Sequence, residues 1–341
     1  MNTQIKILKS ANYIKLLQKL FDHKKNIYGP VRQGKRIGYQ KINSANELAT
    51  DFIIPDMSAK SFVFPCIEKL FSFTKDKENV EIQNLNLDNI PEKIIVGIRP
   101  CDALGMKSLK AIFGRDPADS IFQTRLERTT FIGYACNQAD DYCFCTSING
   151  GPGNTEGSDI LLTKTDSGDY IAEIITPKGE SIVASAPELF EDGSGLDKQK
   201  YLADVPKRFD DSNLENKMKA AFDTNVFDEY AIRCIGCAAC AYVCPTCACF
   251  DIQDRTKGSK GERIRTWDSC GLKLFTLHTS GHNPRETQGV RWRQRLMHKF
   301  SYMPERLEVR GCVGCGRCSR RCPVDMNIAE SINIITDENI I

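Results

Sequence analysis

Cys234-Ile-Gly-Cys237-Ala-Ala-Cys240-Ala-Tyr-Val-Cys244-Pro245 and Cys312-Val-Gly-Cys315-Gly-Arg-Cys318-Ser-Arg-Arg-Cys322-Pro323 decide how this chain is read. In each run three cysteines are spaced by two residues, and a fourth follows after three more, with proline behind it. Two-residue spacing lets one loop offer three thiolates to three corners of a cubane. The fourth cysteine stands beyond a helical turn and points away from that loop; in two-cluster ferredoxins it ligates the other cluster. The spacing therefore assigns one [4Fe–4S] cluster to Cys234, Cys237, Cys240 and Cys322, and a second to Cys312, Cys315, Cys318 and Cys244. Gly236 and Gly314 keep side chains away from the inorganic core. Zinc ribbons also use Cys-x2-Cys, but a zinc ion needs only two such pairs, whereas here the full signature occurs twice.

The insert between the motifs is too long for a compact hairpin ferredoxin. Asn283-Pro284-Arg285-Glu286 reads as a helix start, with an Asn cap, Pro at the first position and Glu at the third. Trp292, Leu296, Phe300 and Met303 then line one face, Arg291, Arg293, Arg295 and Lys299 fall largely elsewhere, and Pro304 ends the helix. The expectation is an α-helical ferredoxin domain over residues 229–341. Arg263, Arg265, Arg291, Arg293 and Arg295 make the insert basic. Compensation of anionic clusters and docking of an acidic surface explain this better than nucleic-acid binding, because no interleaved aromatic platform accompanies them.

Residues 1–228 read as an α+β (α/β-like) domain. A helix is expected over residues 11–22, breaking near Tyr28-Gly29-Pro30, with β-like runs at Ser61–Phe64, Lys93–Ile98 and Thr129–Ala135. The second run leads through Arg99-Pro100-Cys101-Asp102 into a helix with Asp102 as its cap, and the third ends at Cys136. A hairpin is expected around Asp166-Ser167-Gly168-Asp169. The glycine-rich stretch 147–157 does not match the dinucleotide fingerprint and reads as a loop.

Sixteen cysteines in 341 residues, with eleven between Cys234 and Cys322, are the abnormal feature of the composition. No signal-peptide pattern and no bilayer-length apolar run is present, so the expected place is the cytoplasm, where thiols stay reduced and metal ligation explains them better than disulfides. A net charge of +2 argues for neither a nucleic-acid nor a membrane partner. Cys101, Cys136, Cys143 and Cys145 make a second constellation, open to a third [4Fe–4S] cluster, a zinc ion or unligated thiols. Cys66 is expected to pack as a small hydrophobe. Cys247, Cys249 and Cys270 are left between buried thiols near the first cluster and metal ligands. His278 and His282 read as structural. No arrangement of nucleophile and base is defensible as catalytic.

Arg99-Pro100-Cys101-Asp102, Cys143-Phe144-Cys145-Thr146-Ser147, Cys244-Pro245-Thr246-Cys247-Ala248-Cys249, Trp267-Asp268-Ser269-Cys270-Gly271, Gly281-His282-Asn283 and Met297-His298-Lys299 carry a family resemblance. The chain resembles the iron–sulfur (4Fe-4S dicluster) beta subunit of cytoplasmic sulfhydrogenases, the corresponding iron–sulfur subunit of anaerobic sulfite reductases, and the related subunit of flavin oxidoreductases linked to heterodisulfide reductase. The resemblance spans residues 90–330 and is looser over 1–90 and 155–230. It implies an electron-transfer subunit of an anaerobic redox complex, not an enzyme acting alone. Its implied partners are a flavin/NAD(P)-binding reductase subunit together with a catalytic subunit of hydrogenase, sulfite reductase or heterodisulfide reductase type. It also favours the cluster reading of Cys101, Cys136, Cys143 and Cys145. The rival reading is a self-sufficient flavin-containing iron–sulfur oxidoreductase. Arg317, Arg320 and Arg321 flank the second motif, where positive charge is expected to favour the reduced cluster.

Overall fold

The computed structural model describes residues 3–23 and 26–337. Its strands are β1 (Gln4–Leu8), β2 (Asn26–Gln33), β3 (Arg36–Lys41), β4 (Ile67–Lys75), β5 (Val80–Asn84), β6 (Lys93–Ile98), β7 (Thr129–Tyr134), β8 (Ile160–Lys164), β9 (Tyr170–Ile174), β10 (Phe190–Asp192), β11 (Phe250–Lys257) and β12 (Lys260–Trp267). Two sheets result, an eight-stranded one ordered β10-β1-β9-β8-β7-β6-β2-β3 and a four-stranded one ordered β11-β12-β4-β5.

β6 and β7 are nearly continuous apolar runs, the pattern of strands covered on both faces. They pair in parallel with each other and with β2 and β8 at the centre of the large sheet, while antiparallel strands flank them. Helix α1 (Ser10–Asp22) covers one face with Tyr13, Leu16, Leu17 and Leu20, spaced for one helical stripe. Helices α2 (Pro100–Phe113) and α3 (Ser120–Glu127) form the crossover between β6 and β7, and α4 (Pro177–Ala184) follows β9. Tyr28-Gly29-Pro30 does not break the chain but lies inside β2; Pro30 sits in an antiparallel pair with β3. Ser61–Phe64, expected as extended, lies in a tight helical turn and the bend after it.

The C-terminal part is not purely helical. Residues 250–267 form the hairpin β11–β12 around Gly258-Ser259, with Gly258 at φ +62°, the positive φ that two-residue hairpin turns need. β12 then pairs with β4, so the small sheet draws its strands from both sides of residue 228. A separate apolar core gathers Phe144, Leu214, Met218, Phe227, Trp292, Leu296, Phe300 and Ile332. It is built by α5 (Leu214–Ala220), α6 (Val226–Ala231), α8 (Gln288–Met297) and α11 (Ile328–Ile335), with Cys318 of α10 (Arg317–Arg320) packed against it; α7 (Ala239–Tyr242) and α9 (Met303–Leu307) are the other helices of this part.

α8 begins later than Asn283-Pro284 predicts. Thr287 caps it by accepting from the Val290 N–H, while buried Asn283 holds the preceding turn through Lys273 O and Thr276. Pro304 does not end the helical path. A π-turn over His298–Tyr302 leads into α9, where Pro304 occupies the first turn and needs no N–H donor.

Candidate iron–sulfur sites

The two motifs fold as copies of one loop. Gly236 and Gly314 have φ +67° and +63°, and Ala238 and Gly316 have φ +62° and +69°. Left-handed residues at matching positions curl each loop so that successive N–H groups turn inward, a backbone arrangement suited to anions. The third cysteine of each loop lies in a single helical turn, Cys240 in α7 and Cys318 in α10.

Cys234, Cys237, Cys240 and Cys322 line one cavity together with Trp292, Val324 and Met326. Gln288 Nε2 donates to Cys234 Sγ at 3.1 Å. In the second set, Cys312 and Cys315 each lie within electrostatic range of both Cys244 and Cys318. Lys299 Nζ donates to Cys244 Sγ at 3.3 Å, Thr246 Oγ1 at 3.1 Å and Gly311 O at 2.6 Å. The fourth cysteine of each motif thus joins the first three of the other. Cys240 also lies within electrostatic range of Cys318, so the two sets adjoin.

Cys101, Cys136, Cys143 and Cys145, the third set, line another cavity, walled by Ile53, Ile54 and Pro152 and shared with Cys315. Its place follows from the sheet. Cys101 and Cys136 follow the C-terminal ends of the adjacent parallel strands β6 and β7, where open α/β sheets place their ligand crevices. Cys143 and Cys145 come from a loop pressed onto the second motif. Phe144 N–H donates to Gly314 O at 2.9 Å, and a Cβ on Gly314 would lie 2.5 Å from Cys145 Cα.

Burial pushes the thiols up, Cys145 and Cys315 to about 12 and Cys240 and Cys312 to about 11. Without metal these groups are protonated near neutral pH; iron binding displaces the protons. Among the described residues, no three or more His, Cys, Asp or Glu side chains form a site for a metal ion. The cysteines stand around cavities instead.

Three arginines join the second motif to the N-terminal layer. Arg317 grips Asp102 in a buried pair, Arg320 forks onto Asp140 at 2.6–2.9 Å, and Arg321 meets Asp56. Asp102 is therefore no helix cap; Arg99 holds that position, and its guanidinium bonds the carbonyls of Phe52, Ile53 and Ala135. Arg291, Arg295 and Lys299 are buried, and Arg295 and Lys299 donate to Cys247 and Cys244. Their i, i+4, i+8 spacing was the available signal. Cys66 is exposed and stands one residue before β4, within which Glu68 turns inward to Arg125 and Arg265. His278 and His282 close a turn, His278 N–H donating to His282 O at 2.9 Å.

Residues 233–326 match the 4Fe-4S dicluster domain family. The chain is also 29% identical, over 305 residues, to the sulfhydrogenase 2 subunit beta of Pyrococcus furiosus, covering 87% of this chain and 88% of that protein. Along most of its length the chain is thus similar to a sulfhydrogenase beta subunit, and its C-terminal part carries the 4Fe-4S dicluster match. No solved structure matches it. The residues that carry the family resemblance fall on all three cysteine sets: Cys101 and Cys143 in the third, Cys244 in the second, and Gly271 on the cavity wall of the first. Among the described residues no helix is long and apolar enough to cross a membrane.

Proposed function

We propose that the chain relays single electrons within a multi-subunit redox complex. Cys234, Cys237, Cys240 and Cys322 would hold one [4Fe–4S] cluster, Cys244, Cys312, Cys315 and Cys318 a second, and Cys101, Cys136, Cys143 and Cys145 a third. The observation that carries this reading is the contiguity of the three cysteine sets. Cys240 neighbours Cys318, and Cys315 reaches the cavity of Cys101 and Cys145. Bound clusters would supply the one-electron chemistry. The chain's own part is to exclude water, aim N–H groups at sulfur and set the surrounding charge.

By family resemblance, the donor or acceptor at one end is a flavin/NAD(P)-binding subunit. The other end meets a catalytic subunit of hydrogenase, sulfite reductase or heterodisulfide reductase type. The test is to purify the chain anaerobically, reduce it with dithionite and count the electrons it returns to an oxidised viologen. At least three one-electron equivalents per chain are expected, with one lost in Cys143→Ser/Cys145→Ser. Zinc in place of iron and sulfide, or no stored electrons, would sink the reading.

A further inference from the structure

Cys247, Cys249 and Cys270 belong to none of the three sets, yet they meet. All three line one cavity of about 280 Å³ bounded by α8, the π-turn and the segment after Pro245. Asp268 N–H donates to Cys249 O at 3.0 Å, which brings the end of β12 onto this segment. Cys249 and Cys270 lie within interaction range of each other. We infer that these three cysteines hold a fourth [4Fe–4S] cluster, with one iron left open to the cavity. The inference rests on the iron–sulfur reading above and adds a centre to it.

Charge supplies the second, independent observation. Lys60, Arg295 and Lys299 are only 2%, 3% and 4% exposed. The opposite charges acting most strongly on each are cysteines. Arg295 Nη1 donates to Cys247 Sγ at 3.5 Å and Nη2 to Cys240 O at 2.8 Å, while its buried Nε has no partner. Lys60 Nζ donates to Cys247 O at 3.0 Å and to Ala241 O at 3.2 Å, and lies 4.0 Å from the ring centre of Trp267. Buried cations need anions. Clusters at the Cys240 and Cys244 sets answer Arg295 and Lys299. Lys60 has Cys247, Cys244 and Cys249 before it, while its hydrogen bonds go to backbone carbonyls. A cluster bound by three thiolates supplies the anion. Three thiolates leave one iron of the cubane without a protein sulfur, and the cavity on that side accommodates a solvent or small-molecule ligand.

The test uses the full chain, reconstituted anaerobically with iron and sulfide. About sixteen iron per chain are expected for four cubanes, and about four fewer in Cys249→Ser/Cys270→Ser with the dicluster EPR signals retained. Cys143→Ser/Cys145→Ser, measured in parallel, reports on the third cluster of the relay separately. If only that variant loses iron, the fourth site is refuted and the relay reading stands. Loss in Cys249→Ser/Cys270→Ser alone supports the fourth site and refutes the third cluster. A second readout needs no variant. Mild ferricyanide oxidation of the wild-type chain releases about one iron as the open cubane becomes a three-iron centre. No such release, or unchanged iron with a Cys249–Cys270 disulfide found by mass spectrometry, overturns the inference.

Discussion

Asp102 and Arg317 form a two-pronged ion pair, Oδ1 to Nη1 and Oδ2 to Nη2 both at 2.6 Å, with side chains 0% and 1% exposed. It ties the first turn of α2 to the loop between Cys315 and Cys318. Farther along α2, Ser108 Oγ donates to Arg310 O at 2.8 Å, just before the same motif. α2 is thus the shared wall between the sheet-borne cysteines and the second motif. Removing one member of a fully buried pair leaves an uncompensated charge and costs about 3–5 kcal/mol. Asp102→Ala should lose that much in urea unfolding of the cluster-free chain, and Asp102→Leu/Arg317→Leu markedly less. Equal losses would show that packing, not charge, joins the layers there.

Gly236 and Gly314 occupy equivalent positions in the repeat, but their surroundings differ. A Cβ on Gly236 would meet Gln288 Oε1 at 3.3 Å and Gly271 O at 3.8 Å, whereas one on Gly314 would enter the Cys145 backbone. Both substitutions carry a left-handed penalty of about 1–2 kcal/mol. Gly314→Ala should in addition displace the Cys143–Cys145 loop and cost the chain the iron of the third site. Gly236→Ala should keep all its iron.

Lys299 and Arg320 offer a test of which charges tune potential. Lys299 donates directly to Cys244 Sγ, while Arg320 is already neutralised by Asp140. Loss of a charge-assisted hydrogen bond of about 1.5 kcal/mol corresponds to about 60 mV for one electron. Lys299→Met should therefore lower the midpoint of the second cluster by roughly that amount in an EPR-monitored titration. Arg320→Gln should shift it much less, and the reverse order would place the governing charge outside the motif.

Alkaline titration should separate the cluster-free chain from the loaded one. Burial raises the Cys145 and Cys315 thiols from 9 to about 12. Their protonated form is favoured in the fold, so this contribution is complete below pH 9 and is lost as pH rises toward 12. The cluster-free chain should lose stability across that window by circular dichroism. The loaded chain, its thiolates already on iron, should not follow the same curve.

Much of the site was legible because iron–sulfur ligation imposes short, rigid spacing. Cys234 to Cys244 and Cys312 to Cys322 are separated as the cubane requires, and the exchange of fourth ligands follows from the same geometry. The convergence of Cys101, Cys136, Cys143 and Cys145 depends instead on β6 lying beside β7 and on a loop landing at Gly314. Spacing along the chain carries neither fact. Periodicity misled where a hydrophilic residue is buried for a reason of charge. Arg295 and Lys299 look solvated by type, yet they face sulfur. The hairpin at residues 250–267 was hidden by charged residues in strands whose apolar side is sparse, since β11 is exposed along its whole length.

β4 lies near the start of the chain and pairs with β12, which leaves the ribosome much later. Until residues 260–267 are made, β4 has only β5 beside it and presents a row of unpaired peptide groups. Synthesis therefore passes through a stage in which the early strands are exposed and waiting, a situation that favours association between nascent chains. A C-terminally shortened chain would be held at that stage permanently. Expression of the early residues by themselves should yield aggregates, while supplying the later segment in trans, before collapse, should rescue them into solution.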